Sequence, residues 1–386
     1  MLIVRPAHEQ DLPMIEDLYA NAERISSSLP RDRDTLKGRL RLAWWSLAET
    51  GSAKPPAYRR LLFVMEDTAR RGELVGLAGL DACAGNGEPF YNYRRDRLVH
   101  ASRRLDISRD IDVLYPTHAL TGTSLLNGFA VRRGVNEFAA LQLLIRCRLL
   151  FVLEHRNWFH EELVVEFQGL SGTGSVRRSK VSEGGQAVSS TRDIERELSE
   201  MAPDLPAKVP FWDGLGRHFF GMEYAEANRH SRRLSKTFLA ELMPPHPIYE
   251  TLLDESAREA IGRHHPATSA ARAILEREGF ASSLYIDIFD GGPVLECPVA
   301  QLRSLKSSTR FPKVRPRDVV DDDEQLLSTG RGKLFRAVLS AATPNASGRE
   351  LYVPSGVCKA LDLSAGQSMT MTPLFASTIA GVRSGC

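Results

Sequence analysis

Two adjacent histidines, His264 and His265, followed by Pro266, are the side chains of this sequence best suited to moving a proton. An imidazole titrates near neutral pH and can exchange a proton with a reacting group. The pair follows an expected helix over 257–261 and precedes another expected to start at Thr268 or Ser269, so it sits at a helix junction. A histidine there is either a satisfied structural group or a catalytic one. Downstream lies Asp287-Ile288-Phe289-Asp290-Gly291-Gly292-Pro293. Its glycines permit positive φ or close approach, and Pro293 is expected to keep the strand before it from continuing inside a sheet. In one reading Asp290 caps the amides of a structural turn. In the other, Asp287 or Asp290 orients an imidazole or meets a cationic substrate.

Two further groupings could bind a ligand. Phe90-Tyr91-Asn92-Tyr93-Arg94, with His100 and His118, combines aromatic walls with a few polar groups, as small-molecule pockets do. Taken singly, each of these is also an ordinary core or surface residue. Arg132-Arg133-Gly134-Val135-Asn136 lies between an expected strand at 125–131 and an expected helix at 138–154. Backbone amides at a helix start can hold a phosphate. This stretch offers one glycine, where a phosphate-cradling loop normally has two or more.

Composition narrows the class. At 386 residues, 42% hydrophobic and 25% charged, the chain has the make-up of a globular protein of more than one packed unit. A formal charge of +2 gives no global field for nucleic acid, and no apolar run is long enough to span a bilayer. The start of the sequence does not resemble a secretory signal. Five cysteines without CxxC spacing argue against a disulfide frame or a structural zinc, so no metal is expected and a reducing cytoplasm is.

The elements that must position these residues follow from periodicity. Strands are expected at 2–5, 61–66, 74–80, 111–115, 125–131, 163–167 and 285–289. Helices are expected at 11–22, 33–44, 138–154, 211–219, 236–243, 257–261 and 269–278. A strand, two helices and an antiparallel meander make the opening of acyltransferases of the GNAT type. The predicted class is α/β, with tandem GNAT-like acyltransferase halves at 1–170 and 209–312 and a small C-terminal β-rich extension and tail at 313–386. That extension carries expected strands at 334–339, 350–353 and 369–372 and a short helix at 355–361. Between the halves, 171–208 is rich in Gly, Ser, Arg and Glu and reads as a flexible surface insertion, with a short helix at 191–201. The tail beyond Phe375 is expected to fray.

Three dense stretches carry a family resemblance: Phe211-Trp212-Asp213-Gly214-Leu215-Gly216-Arg217-His218-Phe219-Phe220, Ala240-Glu241-Leu242-Met243-Pro244, and the run from Ile261-Gly262 through Pro293. With Glu88-Pro89-Phe90-Tyr91-Asn92-Tyr93-Arg94, Val99-His100-Ala101-Ser102 and Leu120-Thr121-Gly122, they resemble the arginine N-succinyltransferases. The resemblance runs from Leu2 almost to the end, broken by 171–208. It implies transfer of succinyl from succinyl-CoA to the α-amine of L-arginine, with ornithine as another acceptor, in arginine catabolism. No cofactor is implied beyond succinyl-CoA as cosubstrate. It implies His265 as proton donor, because Ile261-Gly262-x-x-His265-Pro266 falls on the family's active-site motif, and it puts Phe129 at the succinyl-CoA contact. Arg133, Gly134, Asn92, His100, Asp287 and Asp290 complete the expected substrate-binding set.

One departure opens an alternative. The loop reads Arg133-Gly134-Val135-Asn136-Glu137, where the family's commonest version is Arg-Gly-Gly-Asn-Gly. Glu137 would set a negative charge beside a pyrophosphate. This is similar to the α-subunit type in organisms encoding two paralogous subunits. The alternative expectation is therefore a weakly active or non-catalytic partner subunit of a heteromeric succinyltransferase. Either way a homo- or hetero-oligomer with a paralogous subunit is expected.

Overall fold

The computed structural model describes residues 1–26, 28–48, 59–135, 138–171, 208–233, 237–318, 323–363 and 367–375. Nearly all of the expected insertion, its helix at 191–201, and the tail beyond Phe375 lie outside the described residues.

The chain opens with β1 (Leu2–Pro6), α1 (Leu12–Asn21), the short β2 (Ala22–Ile25) and α2 (Arg33–Ser46). Leu12, Ile15 and Leu18 of α1, and Leu36, Leu40 and Ala43 of α2, are buried at helical spacing. Asp32 starts α2 by accepting the Thr35 N–H at 2.8 Å. The hairpin β3 (Arg60–Asp67) and β4 (Glu73–Asp81) follows, as expected. Here a single strand was expected, at 111–115, yet β5 (Asn92–Ser102) and β6 (Ile107–Thr117) form a second hairpin paired along its whole length. Then come β7 (Ser124–Arg132), α3 (Phe138–Glu154) and β8 (Glu162–Glu166).

After the undescribed segment, Trp212–Gly216 forms a π-helical turn that runs into α4 (Arg217–Phe220). Helices α5 (Tyr224–Arg233) and α6 (Thr237–Leu242), strand β9 (Ile248–Tyr249) and α7 (Glu255–Ala260) complete a helical cap. Helix α8 (Ser269–Glu278) occupies the expected residues and ends at Gly279, whose φ of 114° only glycine adopts readily. Strand β10 (Ala281–Asp287) starts earlier than expected, and β11 (Pro293–Pro298) was not expected at all. Pro293 opens β11 as its first residue, a place where a missing N–H breaks no interior ladder. The remainder is α9 (Arg303–Ser307), β12 (Thr309–Phe311), β13 (Lys313–Arg317), β14 (Glu324–Thr329), β15 (Arg336–Ala341), β16 (Thr343–Pro344), β17 (Glu350–Pro354), α10 (Ser355–Ala360) and β18 (Met369–Pro373).

Fifteen strands of the described residues share one sheet, ordered β12-β18-β14-β15-β1-β3-β4-β7-β8-β11-β10-β5-β6-β9, with β2 on β7. The architecture is mixed α/β, and residues of both expected halves share this one sheet, because β11 pairs directly with β8 over Val294↔Glu166 to Pro298↔Glu162. Likewise β14, β15 and β18 extend the same sheet through β1, and only β13, β17 and β16 form a separate small one. Among the described residues no helix is long and apolar enough to cross a membrane.

Helix α3 holds these parts together. It is apolar nearly all round and packs in the largest core cluster with Phe63, Leu126, Leu163, Leu295 and Ala337, which come from five different strands. Two arginines interrupt its apolar surface. Arg146 is fully buried and pairs with the equally buried Glu278 at the end of α8, 2.5 Å away. It also donates to the Gln142 side chain (3.1 Å) and the Pro373 carbonyl (2.8 Å), and its guanidinium lies 4.0 Å from the Phe375 ring centre. Glu278 in turn accepts the Ser304 N–H and hydroxyl of α9. Removing one partner of such a pair strands a charge in the core. Arg146→Met should cost about 3–5 kcal/mol of unfolding free energy. Arg146→Met combined with Glu278→Met should recover most of it, as measured by urea denaturation.

Candidate active site

The feature that opens a site is the parting of β7 from β8. These strands are parallel and paired at Ser124↔Leu163, Leu125↔Val164 and Leu126↔Val165. Immediately beyond, β7 bulges: its register with β4 shifts between Ala78 and Gly79, and Gly128 takes a φ of 56°. A Cβ on Gly128 would meet Leu29 Cδ2 at 2.9 Å and Gly79 N at 3.3 Å, so glycine fits where other residues would crowd. Arg148 of α3, 3% exposed, donates to the carbonyls of Gly79 (3.0 Å) and Asn127 (3.2 Å) on the two sides of the bulge. Burial brings its pKa down to about 10, so it remains a cation at neutral pH. The edge of β7 past the bulge is met by β2, with Ser26 N–H on the Phe129 carbonyl (2.8 Å) and Gly128 N–H on the Ser28 hydroxyl (2.9 Å). A crevice at the carboxyl ends of parallel strands is where open α/β sheets bind ligands.

His265 stands on the opposite side of this crevice. Its N–H donates to the Gln168 carbonyl at 2.8 Å, and Gly169 bridges His264. Gln168 lies three residues past Val165, and Phe129, counted through the bulge, two ladder positions past Leu126, so the two stand within about one residue's rise of each other on diverging strands. The His265 ring caps the turn Pro266–Thr268, its Nδ1 accepting the Ala267 N–H at 3.2 Å. In the neutral ring the proton is therefore on Nε2. His264 is used differently. Its Nδ1 contacts Arg272 (3.1 Å), its Nε2 contacts Ser269 (3.2 Å), and burial, then the Arg272 charge, lowers its pKa.

The other expected residues divide into those near His265 and those elsewhere. Gly262 N–H donates to the Gly291 carbonyl (2.8 Å), which ties the histidine loop to the Asp287–Gly292 turn. Within that turn Asp287 accepts the N–H groups of Phe289 (2.7 Å) and Asp290 (2.8 Å), and Asp290 accepts that of Gly292 (2.9 Å). Asn92 pairs in register with Asp287 and donates to Glu166 at 2.7 Å. Phe129 lies on β7, while Arg133 and Gly134 are exposed in the turn after it, Gly134 with a φ of 79°. Asn136 and Glu137 lie outside the described residues. His100 is not brought to this site. It lies eight residues along β5 from Asn92, about 26 Å at strand rise, and its ring packs near Tyr249. Sequence reasoning missed Arg148 and Ser28. For Arg148 a signal existed: a charge inside an otherwise apolar helical run.

Asp290 is buried, and burial, then the adjacent Asp287, raises its pKa well above the usual carboxylate range. A raised folded pKa means the fold favours the neutral acid. That stabilisation is complete at low pH and is lost as pH rises through the folded pKa. Asp290→Asn keeps an acceptor for Gly292 and carries no charge. It should match or exceed the parent chain in stability at pH 8 and abolish the decline between pH 5 and 8. Asp290→Ala should cost about 1–3 kcal/mol at both pH values, as read from denaturant midpoints.

Comparison with known proteins shows the family. A family model described as "Arginine N-succinyltransferase beta subunit" matches residues 2–176 and 195–304, with its break inside the 171–208 stretch. The chain is 37% identical over 339 residues to the arginine N-succinyltransferase subunit alpha of Pseudomonas aeruginosa, covering 88% of this chain and 90% of that one. It is 34% identical to subunit beta of the same organism, over 97% of this chain and 99% of the relative. The arginine N-succinyltransferase of Yersinia pseudotuberculosis is 31% identical over the same shares. A solved structure, "arginine/ornithine succinyltransferase subunit AI from Pseudomonas aeruginosa", superposes with a TM-score of 0.76 at 33% identity, covering 97% of this chain and 99% of that one. The chain belongs to the arginine N-succinyltransferase family.

Proposed function

We propose that this chain is an acyl-CoA-dependent N-acyltransferase that moves succinyl from succinyl-CoA to the α-amine of L-arginine, with ornithine as a second acceptor, in arginine catabolism. The observation that carries this reading is the crevice between β7 and β8, with the Phe129 edge on one wall and the His265 loop on the other. The names of the relatives support the reaction class and do not favour a non-catalytic partner subunit. Their designation as alpha and beta subunits supports an assembly of like or paralogous copies. A cytoplasmic place fits this chemistry. Tandem GNAT-like halves that share one sheet are part of the reading, with the β8–β11 pairing as the place where they join.

The donor's phosphates are assigned to the start of α3, where Arg133 and Gly134 are exposed shortly before a 17-residue helix. Its thioester carbonyl is assigned to the β7 edge at Phe129. Phe129 turns its carbonyl to that edge, and strand alternation sets its N–H on the same side, where it can meet a developing oxyanion. The α-ammonium loses one proton to become a nucleophile, the carbon–nitrogen bond forms, and collapse breaks the carbon–sulfur bond. His265 relays a proton through Nε2, giving its own to the departing thiolate as the amine's replaces it, so the ring stays neutral throughout. The Ala267 N–H occupies Nδ1, which leaves Nε2 as the ring nitrogen for both movements. Of the two protons the ammonium sheds, one ends on CoA and one in solvent. Asp287 and Asp290 keep the histidine loop in place through their turn.

The purified chain should release thiol from succinyl-CoA only when arginine is added. His265→Ala should lower turnover by about 10²-fold, and an unchanged rate would remove His265 from this role. Arg133→Ala should raise KM for succinyl-CoA by about 5-fold, the loss of roughly one charge-assisted contact, and leave KM for arginine unchanged.

A further inference from the structure

We propose that the guanidinium of the acceptor is held between Glu166 and Glu296 on the sheet face beneath the crevice, with the Asn92 side-chain oxygen as a third acceptor. The inference rests on the acyl-transfer reading and adds to it the residues that select a cationic side chain.

Strand alternation and register put these groups on one face. Val294 opposes Glu166 and Val164 opposes Glu296, so the two glutamates are diagonal neighbours on adjacent strands, with Cβ atoms about 7–8 Å apart. Asn92 and Asp287, paired in register, lie on the strands next to them. The helices of the largest core cluster cover the opposite face, where Leu163, Val165 and Leu295 are buried. On the near face a small apolar cluster of Phe90, Leu120, Leu125, Val164 and Val294 adjoins the carboxylates.

Two buried oxygens there lack partners. Asn92 is 0% exposed and spends its amide N–H on Glu166 at 2.7 Å, yet its Oδ1 has no hydrogen-bond partner among the described residues. Glu296 Oε1 is likewise buried without a partner, and the Ser283 hydroxyl beside it donates to the Val294 carbonyl at 2.9 Å. Leaving a buried acceptor unpaired is unfavourable, and more so for a charged group. Burial pushes the Glu296 pKa up, and burial with the charge of Glu296 does the same to Glu162 two turns of the pleat away. A cation bound here would supply the missing donors and offset that repulsion. Arg94, on the same face, is already paired with Asp96 at 2.7 Å.

The spacing suits arginine. Glu166 lies two residues before Gln168, about 7 Å along the strand from the level of His265. An extended arginine spans about 7 Å from its α-nitrogen to its guanidinium carbon. An α-amine at the His265 level thus brings the guanidinium to Glu166, where its planar fork of donors can engage two carboxylates and an amide oxygen. Citrulline has the same shape and no charge, which makes it the discriminating probe.

Calorimetry of the full chain with CoA present should show arginine binding at least 10-fold more tightly than citrulline. Glu296→Gln and Glu166→Gln should each weaken arginine binding 10-fold or more and raise its KM to match, with KM for succinyl-CoA within 2-fold of the parent. Arginine binding unaffected by both substitutions, or citrulline binding as tightly as arginine to the unaltered chain, would overturn the assignment. The citrulline comparison needs no variant and so survives a folding defect in either. Charge-selective binding of arginine without thiol release would instead leave this assignment standing and defeat the acyl-transfer reading.

Discussion

Everything at the candidate site depends on two parallel strands that cannot stay paired. A bulge at Gly128 turns β7 out of register just past Leu126, and it persists because the carbonyls it displaces are answered from the helix side by the guanidinium of Arg148. A buried arginine with no carboxylate is costly, but two carbonyl oxygens left unpaired in the same place would be costly as well. The two defects offset each other, with the Arg148 Nε–H left without a partner among the described residues. The result is a gap between strands whose walls are backbone, built into the most constrained layer of the protein and not onto a mobile loop. Such a gap holds its shape without ligand, which is what electrostatic preorganisation of an acyl-transfer site requires.

Arginine recurs in this interior with a consistent task. Arg39 bridges α2 to the Arg60 and Leu61 carbonyls and to Asp81, Arg146 joins α3 to α8, and Arg148 joins α3 to β4 and β7. In each case a planar, always-charged fork reaches several acceptors at once, which a lysine could not do. The helices of this fold are fixed to the sheet by directed bonds in addition to apolar contact. Apolar packing tolerates sliding; a fork with several named acceptors does not.

The parts legible from sequence were those where one face is buried and the period is clean. Helix α8 and the β3–β4 hairpin have such patterns, and both lie where periodicity puts them. Most of β5 is exposed, and Arg94-Arg95-Asp96-Arg97 are consecutive charges, so Asn92 to Ser102 carries no alternation to betray an eleven-residue strand. That is why His100 seemed a neighbour of Asn92 and is instead far along a hairpin. Strand β11 was hidden by Pro293, a residue that usually ends strands and here begins one. The histidine pair was visible, but the division of labour between its members was not, because it depends on Arg272, Ser269 and the Ala267 amide converging in space. The continuity of the sheet across the two halves was equally illegible, since it is a property of non-local pairing between β8 and β11 and no local pattern encodes it.

Helix α3 is completed by residues more than 220 positions downstream. The side chain of Gln142 exchanges hydrogen bonds with both backbone groups of Phe375, and Arg146 bonds the carbonyl of Pro373, contacts separated by 227 to 233 residues. A ribosome would release Gln142 and Arg146 long before their last partners exist. During synthesis the central helix must therefore wait with a buried cation only partly satisfied until Pro373 and Phe375 have been made. An N-terminal part of the chain, however long it waits, cannot complete this core alone.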